Sequence, residues 1–178
     1  MPPRQRRSIR LPEYDYSQPG AYFVTLCVEG KEHRLGAVIG GGMQYSGLGM
    51  IASQAWGWLP ERFPLVSIPV FCIMPNHAHA IIVVSNSRRG ALQSAPTKTD
   101  PSKSGPTSDS VRPKPLGRIV GAYKTHTTVQ INAAENTAGL RFWQRNYYER
   151  IIRNEREYEA VYAYIQANPI NWEQDEYR

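Results

Sequence analysis

Residues Met74–Val84 read MPNHAHAIIVV. Pro75 and Asn76 form a turn-favouring pair. The apolar, β-branched run His77–Val84 after them predicts a buried strand. Ile68–Met74, just before the turn, predicts its neighbour. On a strand, residues two apart share a face, so His77 and His79 present both imidazoles on one side. Neutral imidazole is a common ligand for zinc, manganese and related ions. The pair is therefore either the start of a metal site or a hydrogen-bonded pair at a strand end. Ile81 stands where a histidine-triad hydrolase of pattern H-x-H-x-H would carry its third histidine, which excludes that class.

Outward from this hairpin, Ala21–Val28 (AYFVTLCV) predicts another buried strand. Gly36–Gly47 predicts a hairpin around its glycines, and the GxxxxGK[ST] spacing of a phosphate-cradling loop is absent. Leu48–Pro60 predicts a short helix ending at its proline. Leu116, Ile119, Val120 and Tyr123 repeat at helical spacing within a helix over Leu116–Ala134. Phe142–Tyr148 (FWQRNYY) is aromatic and reads as strand-like or extended. The last helix begins near Asn154, where Asn154 and Glu157 are spaced as a variant capping box, and Pro169 closes it. Strands separated by helices, with hairpins among them, predict an α+β fold rather than a doubly wound parallel sheet.

The chain has 178 residues, 41% of them apolar, which suits one domain over 1–178 with its own core. No apolar run approaches the roughly 18 residues a membrane helix needs. The N-terminus, MPPRQRRSIR, lacks the apolar stretch of a secretory signal, so a cytoplasmic location with no membrane partner is expected. Cys27 and Cys72 then read as reduced, buried thiols. The net charge of +6 is unevenly spread. Arg4, Arg6, Arg7 and Arg10 make a basic arm over 1–14, and residues 86–115 carry six basic side chains against two acids. That second segment has no aromatic and five prolines, so it predicts a flexible Pro/Ser-rich insertion. Such charge suits a nucleic acid or membrane surface as partner, and equally suits solvated tails.

Two histidines need company to hold a metal. His33 and His126 are the others, and His126 reads as a surface residue. On the last helix, Tyr158, Val161, Tyr162 and Ile165 form an i, i+3, i+4, i+7 core stripe. Tyr164 and Asn168, four apart, share its flank with Glu157. There they either reach into a groove or serve as a boundary aromatic and a helix-ending residue.

Taken together, MPNHAHAIIVV, GRIVGAYKTH and FWQRNYYERIIRNEREYEAVYAYIQANPINW resemble the IS200/IS605-type tyrosine transposases, in particular their REP-associated branch. The likeness covers most of residues 15–172, without the arm and the insertion. It implies a ferredoxin-like antiparallel sheet with helices packed on it. It implies that His77 and His79 are the HuH pair holding a divalent metal, magnesium or manganese. Tyr164 maps to the nucleophile that cleaves and rejoins single-stranded or hairpin DNA through a 5′-phosphotyrosine. Asn168 maps to the residue that completes the metal site; insertion-sequence members often carry Gln there, one methylene longer. DNA contacts are expected from Arg4, Arg6, Arg7 and Arg10, from Arg118 and Lys124, and from Arg145 and Arg153, with Trp143, Tyr147 and Tyr148 either stacking bases or filling the core. Family members act as monomers or homodimers. The rival readings are a domesticated DNA-binding protein of repeated palindromes that no longer cuts, and a phosphoesterase using water.

Overall fold

Four antiparallel strands carry the fold: β1 (Gly20–Cys27), β4 (Val66–Ile73), β5 (His77–Val84) and β6 (Tyr148–Ile152), side by side in the order β4-β5-β1-β6. This is a computed structural model, and it describes residue 16, residues 18–86 and residues 113–178. The basic arm with Arg4, Arg6, Arg7 and Arg10, and residues 87–112 of the insertion, lie outside the described residues. Helix α1 (Gly47–Arg62) connects β1 to β4, the Pro75-Asn76 turn connects β4 to β5, and α2 (Leu116–Glu135) precedes β6. That β-α-β-β-α-β succession is ferredoxin-like, as the family resemblance implies. A small hairpin, β2 (Gly36–Ile39) with β3 (Gly42–Tyr45), is inserted before α1, and α3 (Glu155–Ala167) follows β6.

The alternation of β1 and β5 sorts side chains onto two layers. Tyr22, Val24, Leu26, Ala78, Ala80 and Ile82 face α1 and α2, where Trp56 stacks on Tyr123 at 4.0 Å between centroids. Ile81 faces the other way, into a smaller cluster with Val70, Ile152 and α3's Val161 and Ile165. Thr25 pairs with His79 and Cys27 with His77 in the β1–β5 register, so both histidines sit on the α3 side.

Helix starts follow the caps. Ser46 Oγ accepts from Gly49 N at 3.1 Å, and Asn154 Oδ1 accepts from Glu157 N at 2.9 Å. Helix α1 runs two residues past the sequence expectation, because Pro60 sits in its last turn, where a missing N–H removes only one ladder bond. Phe142–Tyr147 is irregular rather than a strand. Only Trp143 makes a ladder contact, a single bridge to Val28, and no further pairing extends it. Both cysteines are free. No helix among the described residues is long and apolar enough to cross a membrane.

Candidate functional site

His77 and His79 are fully buried at the start of β5. Their Nε2 atoms converge to 3.0 Å. Each ring is held from behind through Nδ1: His77 bonds Asn76 Oδ1 at 2.8 Å, and His79 bonds Thr25 Oγ1 at 2.9 Å. Asn76 cannot be turned round, since its Nδ2 donates to Tyr177 O at 2.7 Å. Its Oδ1 therefore accepts, His77 carries its proton on Nδ1, and Nε2 presents a lone pair. Burial pushes both imidazoles down from the ordinary histidine range. For His77 the Asp175 carboxylate opposes the shift, and for His79 the neighbouring His77 adds to it. Both rings are thus held neutral, the ligating form.

Helix α3 brings Tyr164 over this pair. Its hydroxyl lies 3.4 Å from His79 Nε2, and its ring packs edge-on to His79 and Phe23. Tyr164 is 42% exposed, whereas Asn168, one turn later, is 2% exposed. The core stripe explains the pairing: Val161 and Ile165 are buried, and Tyr164 and Asn168 flank them. Burial raises the Tyr164 phenol above its usual range, and the Asp175 carboxylate adds to it, while the Asn168 side chain works the other way.

The C-terminal tail closes the site. After α3 the chain turns through a short 3-10 segment, Trp172–Gln174, and lays Asp175 and Tyr177 over the histidines. Asp175 Oδ2 lies 3.7 Å from His77 Nε2, while Oδ1 accepts from Tyr177 N at 2.7 Å. One ligand atom from each of His77, His79 and Asp175 fits within a 4.8 Å span. Asp175 Oδ2 and Asn168 Oδ1 are buried with no hydrogen-bond partner. Both residues line the same cavity of about 940 Å³, together with Tyr164 and Arg156.

This donor set fits a divalent cation. Two orphaned buried oxygens are a costly arrangement. The two Nε2 atoms face one another at 3.0 Å, so both can turn a lone pair to one ion once Thr25 accepts from His79 Nδ1. Ligand atoms bonded at about 2.1 Å and roughly 90° to one ion stand about 3 Å apart, which matches the separation observed.

The family resemblance put His77, His79, Tyr164 and Asn168 in one site; the structure sets His79, Tyr164 and Asn168 around one cleft, with His77 next to His79 at 3.0 Å. Asp175 went unread, because a DEYR tail carries no spacing signal and reaches β5 only through the fold. Thr25 and Asn76 were read only as strand and turn, and Tyr177 had no reading.

The expected DNA contacts scatter. Lys124 turns inward and donates to Gln144 O at 2.9 Å and Asn146 O at 3.1 Å, and burial lowers its pKa to about 8. Arg118, Arg145 and Arg153 are exposed. Trp143 is core, donating from Nε1 to Thr127 Oγ1 at 2.7 Å. Tyr147 packs under Lys124, and Tyr148 packs against Phe23 on the cleft wall. His126 is not a bare surface residue, since it stacks on Trp58 at 3.9 Å.

No family model matches the chain. An uncharacterized protein of Haemophilus influenzae (strain ATCC 51907 / DSM 11121 / KW20 / Rd) is 43% identical over 175 residues, which is 96% of this chain and 92% of that protein. A solved structure of a REP-associated tyrosine transposase bound to a REP hairpin is similar with a TM-score of 0.53 at 17% identity, covering 92% of this chain and 73% of the other. At that identity the likeness is one of fold.

Proposed function

The chain belongs to one family with the Haemophilus influenzae protein and has the fold of a REP-associated tyrosine transposase. From that premise we propose that it cleaves and rejoins single-stranded or hairpin DNA through a covalent bond to Tyr164. The observation that carries this reading is the approach of the Tyr164 hydroxyl to 3.4 Å from His79 Nε2, above a buried histidine pair with a carboxylate beside it.

His77, His79 and Asp175 would hold a divalent ion, with Asn168 Oδ1 lining the same cavity as a further oxygen. Magnesium or manganese suits a nitrogen and oxygen set of this kind. When bound, the ion supplies positive charge to a non-bridging oxygen of the scissile phosphate. The residues of the chain do the rest. Asn76 fixes the His77 tautomer with its Nε2 lone pair toward the cleft, and the Thr25 hydroxyl, by accepting from Nδ1–H, would set His79 the same way. Asn168 counters the pressure that burial puts on the Tyr164 phenol. The Tyr164 oxygen attacks phosphorus, the bond to the 3′ oxygen breaks, and that oxygen leaves with a proton as a 3′-hydroxyl. The phenol releases its own proton to the open side of the cleft. A phosphotyrosine conserves the phosphodiester, so a second 3′-hydroxyl can displace Tyr164 and rejoin the strand without a nucleotide cofactor.

The test is cleavage of end-labelled oligonucleotides taken from the gene's own flanks. Scission in manganese or magnesium, its loss in EDTA and its absence in His77→Ala or His79→Ala are the expected results. Full scission in EDTA would remove the metal from the account. Binding with no scission under any metal would favour a DNA-binding protein that has lost its chemistry.

A further inference from the structure

The histidine cleft is mixed in charge, with exposed Arg156 set among acids. The cleft there includes Glu157, Asp175 and Glu176, and its Arg150 is engaged by Glu157 at 3.2 Å. Arg34, Arg141 and Arg178 are likewise held by Glu135, Glu29 and Glu173. Exposed cations without a carboxylate partner gather in one other place. Arg62 at the end of α1, and Lys114 and Arg118 at the start of α2, are exposed and have no carboxylate partner among the described residues.

Those three line one groove of about 800 Å³, on the α1/α2 layer and therefore on the sheet face opposite the histidines. No acid is among its described lining residues. Its other walls are aromatic and apolar. Trp58 and His126 lie in a parallel stack at 3.9 Å with rings 2° apart, and Phe63 sits under the Arg62 guanidinium at 5.5 Å. Small residues Gly121 and Ala122 of α2 keep the groove open between the cationic rim and the stack.

We propose that this groove is a second DNA-binding site, taking a single strand by its phosphodiester backbone with base or sugar faces against Trp58, His126 and Phe63. Charge complementarity selects a polyanion: three uncompensated cations face a space with no acid. The apolar and aromatic walls select a strand whose bases are unpaired, since a positive groove with aromatic platforms is how sequence-tolerant single-strand binding is built. The proposal takes from the reading above only that the ligand is DNA. The groove anchors a strand segment away from the histidine cleft, where acidic side chains disfavour a long run of phosphates.

The experiment is the salt dependence of binding to a labelled oligothymidylate, followed by fluorescence anisotropy in the Tyr164→Phe protein so that no covalent product enters the isotherm. Each phosphate contact to a single strand contributes roughly 0.7 to the slope of log affinity against log salt. The triple variant Arg62→Gln, Lys114→Gln, Arg118→Gln alters only exposed side chains, and its slope should be shallower by roughly 2 units. Arg178→Gln, which removes a cation already paired with Glu173, should leave the slope as it was. In parallel, the His126 ring resonances should shift on adding the oligonucleotide. An unchanged slope in the triple variant overturns the groove, as does an equal fall in the Arg178 control or a still His126. These outcomes are read without cleavage, so absence of a covalent adduct in wild type would count against the proposed function alone.

Discussion

Replacing Asp175 by Asn separates a metal ligand from a mere tail contact. The substitution keeps volume, and it keeps the oxygen that accepts from Tyr177 N. What it removes is the charge on Oδ2, which is buried, unpartnered and 3.7 Å from His77 Nε2. Two unit charges about 4 Å apart interact by about 4 kcal/mol at an effective dielectric of 20, and a dication doubles that. Desolvation of both partners offsets much of the gross figure. Loss of a residue that only supports a ligand already costs about 10–100-fold in metal affinity. A direct charged ligand should therefore cost at least about 100-fold, or about 2.8 kcal/mol. The metal-free protein should respond in the opposite sense. An orphaned buried oxygen costs about 1–3 kcal/mol, and an amide can donate to His77 Nε2, so Asp175→Asn should melt no lower than wild type. Manganese titration followed by loss of the free-ion electron paramagnetic resonance signal measures the first effect, and thermal unfolding in EDTA measures the second. Manganese affinity within a factor of about three of wild type would refute the role of Asp175 as a ligand.

Thr25→Val removes the hydroxyl behind His79 Nδ1 and should weaken manganese binding about 10–100-fold with little change in melting temperature; unaltered affinity would show that Thr25 does not orient the ring. Gly49→Ala sets a β-carbon against the Leu35 carbonyl oxygen, so overpacking should cost about 3 kcal/mol and lower the melting temperature by roughly 6–12 °C, as thermal denaturation would report. Lys124 should titrate near 8 in the folded protein, from burial. Its folded pKa lies below the unfolded value near 10.4, so its charging opposes folding below pH 8. That opposition fades as pH rises from 8 toward 10.4. Heteronuclear NMR of the ammonium group checks it directly, and a midpoint at the ordinary lysine value would contradict the buried placement.

What was legible in the sequence was what periodicity and caps encode. The apolar run after Pro75-Asn76 gave β5, and with it the shared face of His77 and His79. The helical stripe of α3 gave the flank that Tyr164 and Asn168 share, and the family resemblance, not the periodicity, set that flank against the histidines. Phe142–Tyr147 misled because aromatic content resembles strand propensity, yet consecutive Phe142 and Trp143 both fill the core of an irregular segment. Lys124 misled because its partners are backbone carbonyls of Gln144 and Asn146, and carbonyls leave no trace in residue identity. Asp175 was invisible for a related reason. Its place beside the histidines depends on a tail that folds back over β5, and no local pattern specifies that return. Asn76 sat inside the motif from the start, but its hydrogen bond to His77 competes with the turn preference that explains the residue equally well.

The central claim is that Tyr164 becomes covalently joined to DNA. Wild-type protein incubated with a single-stranded oligonucleotide and manganese, then denatured and digested, should yield a peptide spanning Tyr164 that carries a 5′-phosphorylated DNA end, identified by mass spectrometry. The same reaction in Tyr164→Phe should yield none while the protein still folds and binds DNA, because only an exposed hydroxyl is lost. An adduct that persists in Tyr164→Phe, or one that maps to Tyr158, Tyr162 or Tyr177, would contradict the account.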